Sequence, residues 1–164
     1  MSKTKSIEFN LNGKEVSFEI GPSETLMELL RRSGYVGTKN GCTDGACGSC
    51  SVILDGRSVN SCVTFAFQAH GRKVTTIEGV GDYDHPHPFQ SNLVKHGGCQ
   101  CGFCIPGFVI SVKALLDEIP NPTREQIEVN LDGNFCRCTG YEKIEDALHT
   151  TIADNLKGEP QWQR

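Results

Sequence analysis

Hydrophobic positions in the first part of the chain alternate, and later they recur at helical spacing. Ile7, Phe9 and Leu11 share one strand face, and Val16, Phe18 and Ile20 repeat the pattern after Asn12-Gly13. Asn-Gly between two alternating runs is a strong two-residue hairpin signal, so residues 5–20 are predicted to pair as a β-hairpin. Gly21-Pro22 ends the second strand. Leu26, Leu29 and Leu30 then fall on one helical face, with Thr25 and Glu28 spaced for a capping box and Gly34 suited to the helix end. Ser51–Leu54, a tight turn at Asp55-Gly56, a return over Arg57–Cys62 and a short strand over Lys73–Ile77 complete a strand-rich half. Strands gathered around one helix suit a compact α+β domain.

Near residue 79 the period changes. Gly79, Gly81, Pro86 and Pro88 make a linker-like stretch, and the chain beyond it has a helical period. The predicted helices run over Phe89–His96, Ile105 to about Glu118, a segment capped by Thr123 with Gln126 and ending near Leu131, and a segment capped by Thr139 with Glu142. Phe108, Val109, Val112, Leu115 and Leu116 form the stripe of the second, and Ile144, Ala147, Leu148 and Ile152 face inward on the last. Four short helices on short loops read as a small bundle. The division is 1–79 and 80–164, with residues 157–164 as a loose tail.

The cysteines change the picture. Nine occur in 164 residues, and eight of them form two groups. Cys42, Cys47, Cys50 and Cys62 stand in GCTDGACGSC…SC. Cys-x4-Cys-x2-Cys followed by a distant cysteine is the plant-type [2Fe–2S] ferredoxin spacing. Thiolates are soft ligands that suit iron–sulfur clusters, zinc or copper(I). Three ligands can come from one loop if it curls around a compact rhomb, which Gly41, Gly45 and Gly48 permit. Cys62 would close the site from a neighbouring strand. Cys101, Cys104, Cys136 and Cys138 form the second group, in QCGFC and CRCTG. The first pair enters a helix and the second lies in a helix–helix loop. Zinc competes more seriously here, because Cys-x2-Cys is a common zinc knuckle while Cys-x-Cys is not. Disulfides are the remaining alternative for both groups. Cys99 is the spare thiol.

Composition narrows the class. The net charge is −4 and basic residues are scattered, so no stripe exists to neutralise a nucleic-acid backbone. Only 37% of residues are hydrophobic, and cores this modest gain from metal ties between distant segments. No run approaches a membrane span, and MSKTKSIEFN lacks the apolar region of a signal peptide, so direct membrane insertion and unaided export are not expected. A reducing, cytoplasmic setting is expected, where dense cysteines serve metals more often than disulfides. The histidines carry no catalytic constellation: His85 and His87 read as solvent-facing linker residues, His96 and His149 as helix surface, and His70 as part of a turn. Arg137, between two candidate ligands, reads first as charge balance for thiolates.

QCGFCIPG and CRCTGY, with GTKNGCTDGACGSCSVILDG, TTIEGV, HPFQ and PTREQI, resemble the iron–sulfur subunit of the molybdenum hydroxylases, the xanthine dehydrogenase and aldehyde oxidoreductase family. The resemblance covers residues 5–156. It implies an N-terminal β-grasp plant-type [2Fe–2S] ferredoxin domain followed by a four-helix-bundle [2Fe–2S] domain. It implies that Cys42, Cys47, Cys50 and Cys62 hold an outer cluster, and that Cys101, Cys104, Cys136 and Cys138 hold an inner one. Gln100 and Cys138 would lie against a molybdopterin cofactor in a large partner subunit. Electrons would pass from molybdenum through both clusters to FAD, in a third subunit, or to another acceptor. The implied role is that of a heteromeric oxidoreductase subunit with no substrate site of its own, its enzyme acting on an aldehyde or a purine or other N-heterocycle. A stand-alone two-cluster ferredoxin is the alternative. Two departures stand out: Ile105 replaces the threonine many members carry in CTPG, and Cys99 lies unusually close to a ligand.

Overall fold

The computed structural model describes residues 4–157. Residues 1–3, and all of the expected tail except Lys157, lie outside the described residues. The hairpin is β1 (Lys5–Leu11) and β2 (Lys14–Ile20), in register from Lys5 against Ile20 to Leu11 against Lys14. Asn12 and Gly13 both take positive φ, at 51° and 82°, as a type I′ turn requires. Helix α1 (Leu26–Arg32) carries the expected box: Thr25 Oγ1 accepts from Glu28 N at 3.2 Å and Glu28 Oε2 accepts from Thr25 N at 2.8 Å. Strands β3 (Ser51–Leu54), β4 (Arg57–Asn60) and β5 (Lys73–Thr75) complete a five-stranded mixed sheet in the order β2-β1-β5-β3-β4. β5 lies parallel to β1 and antiparallel to β3. Ile7, Phe9, Leu11, Val52, Leu54 and Val74 pack with the apolar face of α1. Val16 and Phe18 stay half-buried because β2 is the sheet edge.

Two strand ends differ from expectation. β5 stops at Thr75, because the Thr76 amide turns away to Asn12 Oδ1 at 2.9 Å and Ile77–Gly79 form a 3₁₀ turn. β4 stops at Asn60, so Cys62 sits in a 3₁₀ turn, Ser61–Val63, rather than on a strand.

The helical half comprises α2 (Pro88–Lys95), α3 (Ile105–Glu118), α4 (Arg124–Leu131) and α5 (Glu142–Leu156). The stripes of α3 and α5 are buried as their spacing requires, and Thr123 caps α4 with Gln126. The α+β class with a helical second half is therefore observed. The halves meet along β3, whose four residues are all buried. Val52 and Leu54 face the α1 core, whereas Ile53 points the other way into the core built on α3. A strand with both faces covered reads as continuous apolar sequence, as Val52-Ile53-Leu54 does. Among the described residues no helix is long and apolar enough to cross a membrane.

His87 corrects its expectation. It is not solvent-facing but only 4% exposed, and it caps α2. Its Nδ1 accepts from Phe89 N at 3.2 Å, and its own amide donates to Gln90 Oε1 at 2.8 Å. Burial, helped by the Lys113 charge, lowers its pKa from 6.5 to about 4. The unfolded chain therefore binds the proton more readily, so this contribution is complete above about pH 6.5 and is lost as pH falls toward 4. It amounts to roughly 3 kcal/mol at most. Thermal unfolding compared at pH 7 and pH 5 is expected to show a loss of stability that His87→Asn, a capping side chain without a proton to gain, largely removes. An unchanged slope in the variant would assign the acid sensitivity elsewhere.

Candidate metal centres

The loop between α1 and β3 carries Cys42, Cys47 and Cys50, and the turn after β4 brings Cys62 to meet them. Its curl uses positive φ at Thr43 (70°), Gly45 (84°) and Gly48 (66°). Gly41 serves differently from expectation: its φ is not positive, but a Cβ there would sit 2.8 Å from Cys47 Sγ. In the second set, Cys104 is the N-cap of α3 and Cys101 precedes it, while Cys136 and Cys138 lie between α4 and α5.

The thiols meet in pairs. Cys42 interacts with Cys47, and Cys62 with Cys50. Cys104 interacts with Cys136, and Cys138 Sγ lies 3.6 Å from Cys101 Sγ. Cys42 also influences Cys62, and Cys101 influences Cys104, so the pairs stand two by two. Among the described residues no three His, Cys, Asp or Glu side chains converge as a single ion requires. Two pairs of thiols are the donor set of a two-iron rhomb, with one pair to each iron. None of the nine cysteines forms a disulfide. In each set one pair is more enclosed: Cys50 and Cys62 are 2% and 6% exposed, and Cys136 is 8% exposed, whereas Cys101 and Cys138 lie at the surface.

The electrostatics favour ligation. Burial pushes the Cys62 thiol up to about 12, with Cys50 adding to the effect and the Gly45 amide opposing it. Burial likewise pushes Cys104 up to about 12, reinforced by Cys136. Such thiols ionise readily only when a metal takes the sulfur. Cys42 is lowered: the Asp44 carboxylate and burial act against ionisation, but the amides of Asp44 and Cys47 and the Cys47 side chain outweigh them. Cys136 is also lowered, despite burial, by the Thr139 hydroxyl and amide, the Cys138 amide and Cys104. Amides aimed at sulfur are the donors that an anionic cluster needs.

The two loops touch. Phe135 N donates to Cys47 O at 3.0 Å, and Asn134 Nδ2 donates to Gly48 O at 3.3 Å. A Cβ on Gly48 would fall 2.2 Å from Gly133 O, and one on Gly107 would fall 2.3 Å from Gly48 O. Only glycine lets the backbones approach this closely. Glu78, of the TTIEGV stretch, holds the entry to the first loop by accepting from Gly37 N at 2.8 Å.

Sequence reasoning missed several of these residues. Thr139 does not cap α5 with Glu142. The N-cap is Tyr141, with φ 72° and no capping side chain, while Thr139 Oγ1 donates to Cys136 Sγ at 3.1 Å. A hydroxyl one residue beyond Cys-x-Cys was the available signal. Asn134 and Phe135 carried none, because their partners lie more than 80 residues away. Cys99 is exposed and, among the described residues, no thiol interaction perturbs it, and Gln100, Phe103 and Arg137 are exposed close in sequence to Cys101 and Cys138. His85 and His149 are exposed as expected and His70 lies in a turn as expected, whereas His96, expected at the helix surface, is half-buried with Nε2 2.9 Å from Thr150 Oγ1.

Comparison with known proteins agrees. Residues 9–73 match the family described as a 2Fe-2S iron-sulfur cluster binding domain, and residues 76–149 match a [2Fe-2S] binding domain. The chain is 42% identical to the nicotinate dehydrogenase small FeS subunit of Eubacterium barkeri over 90% of its own length and 94% of that subunit. It superposes on quinoline 2-oxidoreductase of Pseudomonas putida 86 with a TM-score of 0.88 and 37% identity, covering 95% of this chain and 98% of that one. Against the aldehyde oxidoreductase of Desulfovibrio gigas the TM-score is 0.90 with 42% identity, covering 96% of this chain but 18% of that longer one.

Gly107→Ala places a methyl against the Gly48 carbonyl. The expected cost is about 1–3 kcal/mol, read as a lower melting temperature of the purified protein. An unshifted melting temperature would mean that the loops are not held at this spacing.

Proposed function

We propose, because this chain belongs to the molybdenum hydroxylase family (xanthine dehydrogenase and aldehyde oxidoreductase) as its iron–sulfur subunit, that its eight paired cysteines divide into an inner and an outer cluster site. Cys101, Cys104, Cys136 and Cys138 hold the inner cluster, and Cys42, Cys47, Cys50 and Cys62 hold the outer one. The [2Fe–2S] clusters, when bound, supply one-electron storage between the molybdenum centre and the final acceptor. The chain's own part is to bind, orient and shield. Its burial of Cys50 and Cys62 in one site and of Cys136 in the other keeps water from part of each, and its joined loops hold the two sites at a fixed separation.

The observation that carries this reading is the division of the second set. Cys136 is buried and Cys104 half-buried, while Cys101 and Cys138 lie at the surface with Gln100 and the 46%-exposed Phe103. An exposed thiolate pair ringed by a polar amide and an aromatic side chain suits docking against a large molybdopterin-binding subunit. Gln100 and Cys138 are the residues we assign to the pterin. A medium FAD-binding subunit is the acceptor we assign to the other end. The substrate, bound in the partner, is an aldehyde or a purine or other N-heterocycle.

Cys104→Ser tests the ligand set. The variant is expected to lose the inner cluster's paramagnetic signal and stop turnover of the assembled enzyme, while the outer signal remains. Normal turnover would overturn the assignment. Cys99→Ser is expected to keep full iron content, and loss of iron would make Cys99 a ligand in place of one of the eight.

A further inference from the structure

The loop from Cys136 to Tyr141 closes on itself through three hydrogen bonds. Thr139 Oγ1 donates to Cys136 Sγ at 3.1 Å, Tyr141 N donates to Thr139 Oγ1 at 3.1 Å, and Cys136 N donates to Tyr141 OH at 3.0 Å. The Tyr141 amide occupies a lone pair of the Thr139 oxygen, so the hydroxyl hydrogen is directed at the sulfur. Tyr141 adopts φ 72°, an unfavourable value for an aromatic residue. Its phenol bond to Cys136 and the edge-on contact of its ring with Phe108, 6.1 Å between centroids, hold it there. A strained backbone kept in place by packing, with its product a hydroxyl aimed at a thiolate, has a consequence beyond folding.

We propose that Thr139 is a tuning residue, its hydroxyl raising the reduction potential of the inner cluster through the bond to Cys136 Sγ. This rests on the reading of Cys136 as an inner-cluster ligand. Reduction adds one negative charge to the cluster and its sulfurs, so a donor to sulfur stabilises the reduced form more than the oxidised one. The first set is differently placed. Among the described residues, the hydroxyl that donates to a cysteine sulfur is that of Thr139, in the second set. One hydroxyl therefore acts on one site and leaves the other alone.

Redox titration of the assembled enzyme, followed by electron paramagnetic resonance, reads each cluster separately. Thr139→Val removes the hydroxyl at nearly constant shape. It is expected to shift the inner midpoint to a more negative potential and leave the outer one in place. Thr139→Ser is expected to restore the wild-type midpoint. The titration follows loaded clusters only, so partial loading of a variant does not obscure the reading. An unshifted inner midpoint in Thr139→Val would overturn the proposal, as would an equal shift in Thr139→Ser. Absence of the inner cluster from both Thr139→Val and Thr139→Ala, with Thr139→Ser loaded, would also overturn it in favour of a role in assembly. Absence of an inner signal from the wild-type protein would instead refute the ligand assignment itself.

Discussion

A hydrogen bond between two loops organises this molecule. The amide of Phe135 reaches the carbonyl of Cys47, and each of these residues is at, or next to, a proposed ligand of a different cluster. The bond forms only because Gly48 and Gly107 lack side chains, which lets the first loop, the start of α3 and the backbone at Gly133 come within contact of one another. The separation of the two thiol sets is thus set by main chain, which is stiff, rather than by long side chains, which are not. For a subunit that passes electrons between centres, a fixed spacing is the property that matters.

The same economy appears in β3. One four-residue strand contributes to two cores, with Val52 and Leu54 on one face and Ile53 on the other. The halves consequently share a wall. The two family matches meet between residues 73 and 76, but the packing runs across that boundary. A rigid wall between the sites supports the loop contact at one end of the molecule. The surface-facing pair Cys101 and Cys138 remains available at the second site.

Much of this is legible in the chain, for local reasons. The Asn12-Gly13 hairpin, the Thr25 and Thr123 caps and the α3 stripe depend on residues within one or two turns of each other. The cysteine spacing reveals two sets because ligands from one loop must be close in sequence. The features that escape depend on distant partners or on competition between local roles. His87 reads as linker because prolines flank it, but the helix needs a cap there and the fold buries it. Thr139 has the spacing of a capping residue, yet the Cys136 sulfur and the Tyr141 amide claim its hydroxyl first. Cys62 reads as the end of the return strand after Asp55-Gly56, but the backbone leaves the strand at Asn60 and a 3₁₀ turn brings the sulfur to Cys50. Gly41 suggests backbone freedom, when the loop uses its missing side chain.

The most direct test of the account is electron paramagnetic resonance of the natively purified, dithionite-reduced protein with spins counted per chain. Two distinct [2Fe–2S] signals of about one spin each are predicted from the four thiol pairs. A single signal would leave one set of four cysteines without its cluster and contradict the two-site arrangement.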